Sequence, residues 1–349
     1  MHNLIEPPSL LAWFLGHPPE GFSSHPLSGA TPAFSTKFDL TTTMETEQRR
    51  WLARLPFWKH WQGLLQARTL FVGSTVSEYA PLPAEPAAAV LVAELLRAAR
   101  NFPFLIIKDI PCEPVLVGKA AMDYNRDLLA SCEQAGFLRV AGQALAFVPI
   151  DFDSIGSFLA RMSHSRRKGI RRKLKSRDDL TIQALPAGDP RFADEAFLAE
   201  LYRLYRNVYD QSEIHFDLLS ADFFRSVLQD AASGGVVFLY RAEGTVIGYN
   251  LCFESNGMLI DKYVGFAYPQ ARHFNLYCVS WFHNLEYAVA RGLKCYVAGW
   301  TDPEIKRQLG AQFTFTQHAV YVRNPMLRRL LRPLKRLFEA DSRWHLQAR

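Results

Sequence analysis

The sequence predicts an α/β protein of the α+β kind, built on a mixed sheet. Three observations predict it. Of the 349 residues, 49% are hydrophobic and 13% aromatic, which supplies a large core and is too apolar for a disordered chain. Apolar runs typical of strands alternate with runs whose apolar residues recur at the helical spacing. Glycines stand where such helices and hairpins would end, at Gly136, Gly244 and Gly292.

The elements follow in chain order. Residues 1–43 are rich in Pro, Ser, Thr and Gly without a sustained period, and read as an irregular arm packed through Trp13, Phe14, Phe22 and Phe34. Within 44–150, residues 45–66 place Trp51, Leu55, Trp58, Trp61 and Leu65 at helical spacing. TLFVGSTVSEY reads as a strand, 85–100 as a helix, FPFLIIKDI as a strand and 119–135 as a helix closed by Gly136. FLRVAGQALAFVPI gives one or two strands, so this half alternates β and α, and a mostly parallel sheet is expected.

From 151 onward a short helix over 152–161 precedes the basic run MSHSRRKGIRRKLKSRDDL. Ile170 and Leu174 give that run a thin apolar stripe, so it reads as a helix lying on the body with its charges outward. A strand over 181–185, helices over 192–209 and 221–232, and a hairpin around Glu243-Gly244 come next. MLIDKYVGF, LYCVSWFHNLEYAVARG, LKCYVAGW, TDPEIKRQLG and HAVYVRN add strand, helix, strand, short helix and strand. The order is βααβββαβαβ through residue 325, and 326–349 form a basic amphipathic tail helix.

Charge is unevenly spread. Residues 161–177 hold nine Lys/Arg and no acid, and 323–349 hold eight against two, so with a net charge of +6 the remaining body is acidic. Such asymmetry points to phosphates or an anionic surface. The five cysteines are scattered, without a CxxC pair or zinc-like spacing to histidine, so no metal is expected and a reducing compartment fits. The chain shows no basic start followed by an apolar run and no apolar stretch of membrane-spanning length, so a cytoplasmic location is expected. Neither a P-loop nor a serine elbow occurs.

Asp261 and Tyr263 share one face of an alternating strand and Lys262 takes the other. An acid and a phenol so placed could orient an amine or relay its proton; equally, they could be a hydrogen-bonded pair in a half-exposed strand. His273 and Asn275 precede a helix and could face a bound ligand, or serve as a loop pair with Asn275 as cap. Tyr277, one turn in, suits ligand contact or core packing. Arg166, Arg167, Lys168, Arg171 and Arg172 form a candidate anion-binding face, whose plain alternative is a solvated charge run. The tail could rest on an anionic membrane or pack on the body.

The element order, together with SHSRRKGIRRKLKS, IHFDLLSADFF, NLYCVSWFHNLEYAVARG and EIKRQLG, resembles the FemAB-type branch of the GNAT-fold N-acyltransferases, linked to peptidoglycan bridge synthesis. The resemblance covers about 150–325 and implies tandem GNAT-like lobes, the first degenerate and lying at 44–150. It implies acyl or aminoacyl transfer to a small-molecule or peptide amine, with no tightly bound cofactor and with acyl-CoA, an acyl carrier protein or aminoacyl-tRNA as donor. Lys306 matches the lysine of the family pattern K-x-x-x-G, His215 falls where relatives contact the acceptor, and the resemblance makes the ligand that His273, Asn275 and Tyr277 could face an acyl donor. The loop at 270–275 departs from the acyl-CoA pattern, since it lacks the glycines that let backbone N–H groups approach a pyrophosphate. The expected function is an N-acyltransferase using acyl-CoA or an acyl carrier. The alternatives are a FemAB-type aminoacyl-tRNA-dependent enzyme and a non-catalytic module that holds RNA or an anionic surface.

Overall fold

The computed structural model describes residues 1–25, 27, 31–39, 50, 53, 54, 62–212 and 215–334. In chain order it contains α1 (Pro8–Gly16), β1 (Ser23–Ser24), β2 (Ala33–Asp39), β3 (Gln66–Val72), α2 (Ala88–Ala98), β4 (Phe104–Pro111), α3 (Lys119–Gln134) and β5 (Leu138–Pro149). Then come α4 (Ile155–Ala160), α5 (His164–Leu174), a 3-10 turn (Lys175–Asp179), β6 (Thr181–Pro186), α6 (Glu195–Gln211), α7 (Ala221–Gln229), β7 (Gly235–Ala242), β8 (Thr245–Ser255) and β9 (Met258–Phe266). The chain ends with α8 (Gln270–His273), α9 (Leu276–Ala290), β10 (Cys295–Gly299), α10 (Pro303–Gln308), β11 (Gln312–Val322) and α11 (Pro325–Leu334). The order expected for the second half stands, with α8 as an added turn. Most of the helix expected at 45–66, and the tail beyond 334, lie outside the described residues.

Two compact units are present. One comprises Met1–Ile5, Phe14–Ala144 and the chain from Thr314 onward; the other comprises Glu6–Trp13 and Leu145–Phe313.

In the first unit β1 and β2 pair antiparallel, β2 and β3 antiparallel, β3 and β4 parallel, and β4 and β11 antiparallel. The expected mostly parallel sheet is therefore corrected to a mixed one. A helical crossover such as α2 makes its two strands parallel, but β4 takes its other neighbour from the far end of the chain, which local periodicity does not reveal. The arm also carries more order than its composition suggests. Phe34 of β2 is fully buried, stacks on Phe71 at 4.9 Å and on Phe22 at 4.9 Å, and meets Phe14 edge-on at 5.7 Å. Three aromatic contacts hold a segment whose Pro and Ser content otherwise favours loops. Behind the strands, α2 buries Leu91, Val92 and Leu95 with Leu128, Leu129 and Cys132 of α3. FLRVAGQALAFVPI resolves to the single strand β5.

In the second unit β5 and β10 pair antiparallel, β10 and β9 parallel, and β9, β8, β7 and β6 follow as an antiparallel meander. The β7–β8 turn has positive φ at both Glu243 (50°) and Gly244 (81°), the backbone of a two-residue I′ hairpin, which explains the Glu-Gly pair. Asp194 caps α6 by accepting from the Ala196 N–H at 2.9 Å, and Ser220 caps α7 through the Phe223 N–H at 3.1 Å. Helix α9 is apolar nearly all round and is correspondingly buried, with Leu276, Cys278, Trp281, Phe282 and Leu285 in one core with Phe238, Tyr240, Cys252, Leu259 and Tyr296. Each large side chain so buried contributes about 1.5–3 kcal/mol. Gly292, at φ 65°, ends the helix as the sequence requires.

Candidate active site

The site is built around Asp261 of β9. Between Leu251–Tyr263 and Cys252–Asp261 the β8–β9 register slips by one residue, leaving Lys262 as the extra residue of a bulge. Cross-strand partners share a face, and Leu251 and Cys252 alternate, so Asp261 and Tyr263 lie on opposite faces. This corrects the shared face expected from simple alternation. Tyr263 turns to α6 and α7, packing edge-on against Phe224 at 5.3 Å, Phe223 at 6.0 Å and Tyr205 at 6.4 Å. Lys262 forms an ion pair with Glu6 at 3.4 Å, both side chains nearly sealed from solvent.

Asp261 faces α9. Its carboxylate accepts from Asn250 Nδ2 at 3.0 and 3.2 Å, Asn284 Nδ2 at 3.0 Å, Tyr296 Oη at 2.9 Å and, more weakly, Cys252 Sγ at 3.6 Å. Burial raises its pKa above the ordinary carboxylate value, while the hydrogen bonds from Asn250 and Tyr296 and the charge of Lys306 oppose the rise. A carboxylate so held is a fixed proton acceptor with a pKa moved toward neutrality, the combination that a general base needs.

Lys306 is 4% exposed, and its Nζ donates to the Ala298 carbonyl at 2.6 Å. The surrounding backbone admits it. Gly299 has φ 78°, and a Cβ there would sit 3.8 Å from Lys306 Nζ and 4.0 Å from the Asp261 carbonyl oxygen. Asp302, at φ 52°, turns the chain into α10, whose Pro303 begins the helix. Tyr277, in the first turn of α9, has a phenol held above its usual pKa by burial and then by the charges of Asp302 and Asp261. The fold thus brings Asp261, Tyr277 and Lys306 into one electrostatic neighbourhood.

The other expected residues are placed differently. Asn275 adopts the left-handed conformation (φ 50°, ψ 38°) at the start of α9. Its backbone carbonyl accepts from the Cys278 and Val279 N–H groups, while its side chain makes no cap bond and donates to Ser176 Oγ at 3.1 Å. His273 is exposed, its ring edge on Phe274 at 4.8 Å. His215 is exposed, donates to the Tyr209 carbonyl at 2.9 Å and packs on the Tyr209 ring at 5.0 Å.

In the basic run, Arg166 does not join an outward anion face. Its guanidinium donates to the carbonyls of Arg307 and Gln308, at the C-terminal end of α10. The Arg307 carbonyl also accepts from the Gly310 N–H at 3.1 Å, and both carbonyls lie at the negative end of the helix dipole, where a cation is favoured. Arg177 pairs with Glu286 of α9. Lys168, Arg171 and Arg172 are exposed, Arg167 is half-buried, and none of the four side chains has a hydrogen bond or ion pair among the described residues. The buried Ile170 fixes α5 on the body.

Asn250, Cys252, Asn284 and Tyr296 were not singled out from the sequence. A signal exists for Asn250, a lone amide inside an apolar run, since a buried polar side chain needs a partner; Asn284, beside His283 and near Glu286, carries none. Among the described residues no group of three or more His, Cys, Asp or Glu is arranged to hold a metal, and no helix is long and apolar enough to cross a membrane.

No curated protein matches the sequence. Among solved structures, L-PGS from Bacillus licheniformis shares the fold with a TM-score of 0.56 at 12% identity, over 97% of this chain and 98% of that one. FemX does so with a TM-score of 0.50 at 13% identity, over 93% of this chain and 98% of that one. The model of the FemAB-like family, described as peptidoglycan biosynthesis/recognition, matches residues 120–339, more than half of the chain and the whole of the Asp261 site. By that match the chain belongs to the FemAB-like family.

Proposed function

We propose that this protein is a transferase, and specifically an aminoacyltransferase that takes its aminoacyl group from aminoacyl-tRNA and passes it to an acceptor amine. Membership of the FemAB-like family supports transfer of this kind. The observation that carries the donor assignment is the fastening of the basic helix to both halves of the site. Arg166 of α5 binds the end of the helix that bears Lys306, and Ser176, just beyond α5, receives Asn275 at the start of α9. Phosphates laid along Lys168, Arg171 and Arg172 would bring an attached ester to the same place. The acyl-CoA reading has less support, because the loop at 270–275 is a closed helical turn without glycine.

In the proposed step the acceptor amine attacks the ester carbonyl. The new N–C bond forms, the ester C–O bond breaks, and the ribose oxygen leaves. Asp261 takes the proton that the amine sheds, and the cation of Lys306 stabilises charge on the carbonyl or leaving oxygen. Tyr263, on the far face, has no part in the reaction. No bound cofactor is needed, since the donor is already activated.

The test is transfer of labelled amino acid from charged tRNA to a cell-envelope extract. RNase treatment should abolish transfer, and acetyl-CoA should not replace the charged tRNA. Asp261→Asn and Lys306→Ala should each lower turnover by about 10²–10⁴-fold. Full turnover in both variants, or RNase-resistant transfer from an acyl-CoA, would overturn the reading.

A further inference from the structure

The two most exposed large hydrophobic side chains among the described residues are Met326, 81% exposed, and Leu330, 61% exposed. They are four residues apart on α11, so they lie on one line of the helix, and Pro333 continues it three residues on. The helix is well fixed beneath this strip. Asn324 Oδ1 caps it through the Met326 and Leu327 N–H groups at 2.9 and 3.1 Å. Leu331 is buried, and Arg328 lies over the Tyr321 ring at 5.0 Å. Packing therefore uses only part of the apolar arc and leaves Met326, Leu330 and Pro333 outside it.

Arg329 and Arg332 border the strip. Both are exposed, their side chains make no hydrogen bond or ion pair among the described residues, and α11 contains no acid. A protein partner for an apolar strip would commonly answer it with a groove and a few charges. A strip this short, one side chain deep and edged by unpaired arginines, matches instead a surface that is apolar beneath and anionic above.

We propose that α11 is a membrane-docking element, which lays Met326 and Leu330 among the acyl chains of an anionic bilayer and sets Arg329 and Arg332 among lipid phosphates. The docking holds the enzyme at the membrane surface without spanning it. It does not depend on the donor assigned above, and its failure would leave that reading intact.

The experiment is flotation of the full chain with vesicles of phosphatidylcholine alone or with phosphatidylglycerol added. Binding is expected to the mixed vesicles only, and to weaken as salt is raised. Met326→Ser combined with Leu330→Ser keeps every charge, including those beyond residue 334, and should lower partitioning about tenfold or more. Arg329→Gln and Arg332→Gln should each lower it about fivefold. Unchanged thermal melting of these exposed-site variants shows that the fold persists. The proposal is overturned if the wild-type chain does not float with anionic vesicles at low salt. It is overturned equally if the double serine variant binds as well as wild type, or if that variant abolishes self-association in a chain that binds no vesicle.

Discussion

In the proposed reaction Asp261 is the proton acceptor, and its pH behaviour can be worked out from its surroundings. Burial lifts its pKa above the ordinary value of 3.8. A base acts only when deprotonated, so kcat/KM should fall as pH is lowered through this raised pKa. The sign for stability follows too. With a native pKa above the unfolded one, the native state binds more protons between the two values, and stability declines as pH rises through that window. Tyr296→Phe removes a donor that favours the charged form, so the acidic limb of the profile should move to higher pH. The variant should also lose about 1–3 kcal/mol of stability, read from denaturant unfolding. An unmoved acidic limb would mean that another group is the base.

At the scale of elements, α5 performs two jobs that the sequence presented as one charge run. Arg166 secures α10, whereas Lys168, Arg171 and Arg172 face solvent. Their substitutions should therefore separate. Arg166→Ala removes the guanidinium that holds the carbonyls of Arg307 and Gln308, loosens the helix that bears Lys306, and should lower kcat about tenfold or more with little change in the salt dependence of tRNA binding. The triple change of Lys168, Arg171 and Arg172 to Gln should weaken tRNA binding and reduce the slope of log K against log salt by about two, leaving kcat at saturation unaltered. Fluorescence titration with tRNA over a salt series, beside single-turnover kinetics, reads both. Equal effects of the two variants on slope and kcat would show that the helix does not divide its roles in this way.

At the scale of the whole molecule, the five cysteines record how thoroughly the chain is packed. All are free, and four are buried. Burial pushes the thiols of Cys112 and Cys278 up to about 11 and those of Cys132 and Cys295 up to about 12, while Cys252 rises well above its usual value. Thiols at such values are almost wholly protonated near neutrality and react slowly. Labelling of the native protein at pH 8 with a thiol reagent should be slow, with half-buried Cys112 first, and all five should react at once in denaturant. Rapid native labelling of any buried cysteine would indicate local opening in its core.

Much of this protein is written into its local sequence. The 3.6-residue pattern of α9, its stop at Gly292, the Glu243-Gly244 hairpin and the βααβββαβαβ order follow from spacing and turn chemistry that act within a few residues. Asp261 and Lys306 were also visible, one as an acid inside an apolar strand, the other by resemblance. Tertiary structure decided what those residues face. A one-residue slip at Lys262 separates Tyr263 from Asp261 and turns it toward α6 and α7, a choice set by how β8 grips β9 and not by alternation along β9. Asn250, Asn284 and Tyr296 come from β8, α9 and β10, up to 46 positions apart, and meet only when strand and helix pack on the same carboxylate. Arg166 leaves the charge run for the carbonyls of α10 for the same reason. Local pattern fixes which element forms, because its interactions are local. The partners of a buried charge are fixed by long-range packing, which no single stretch of sequence contains.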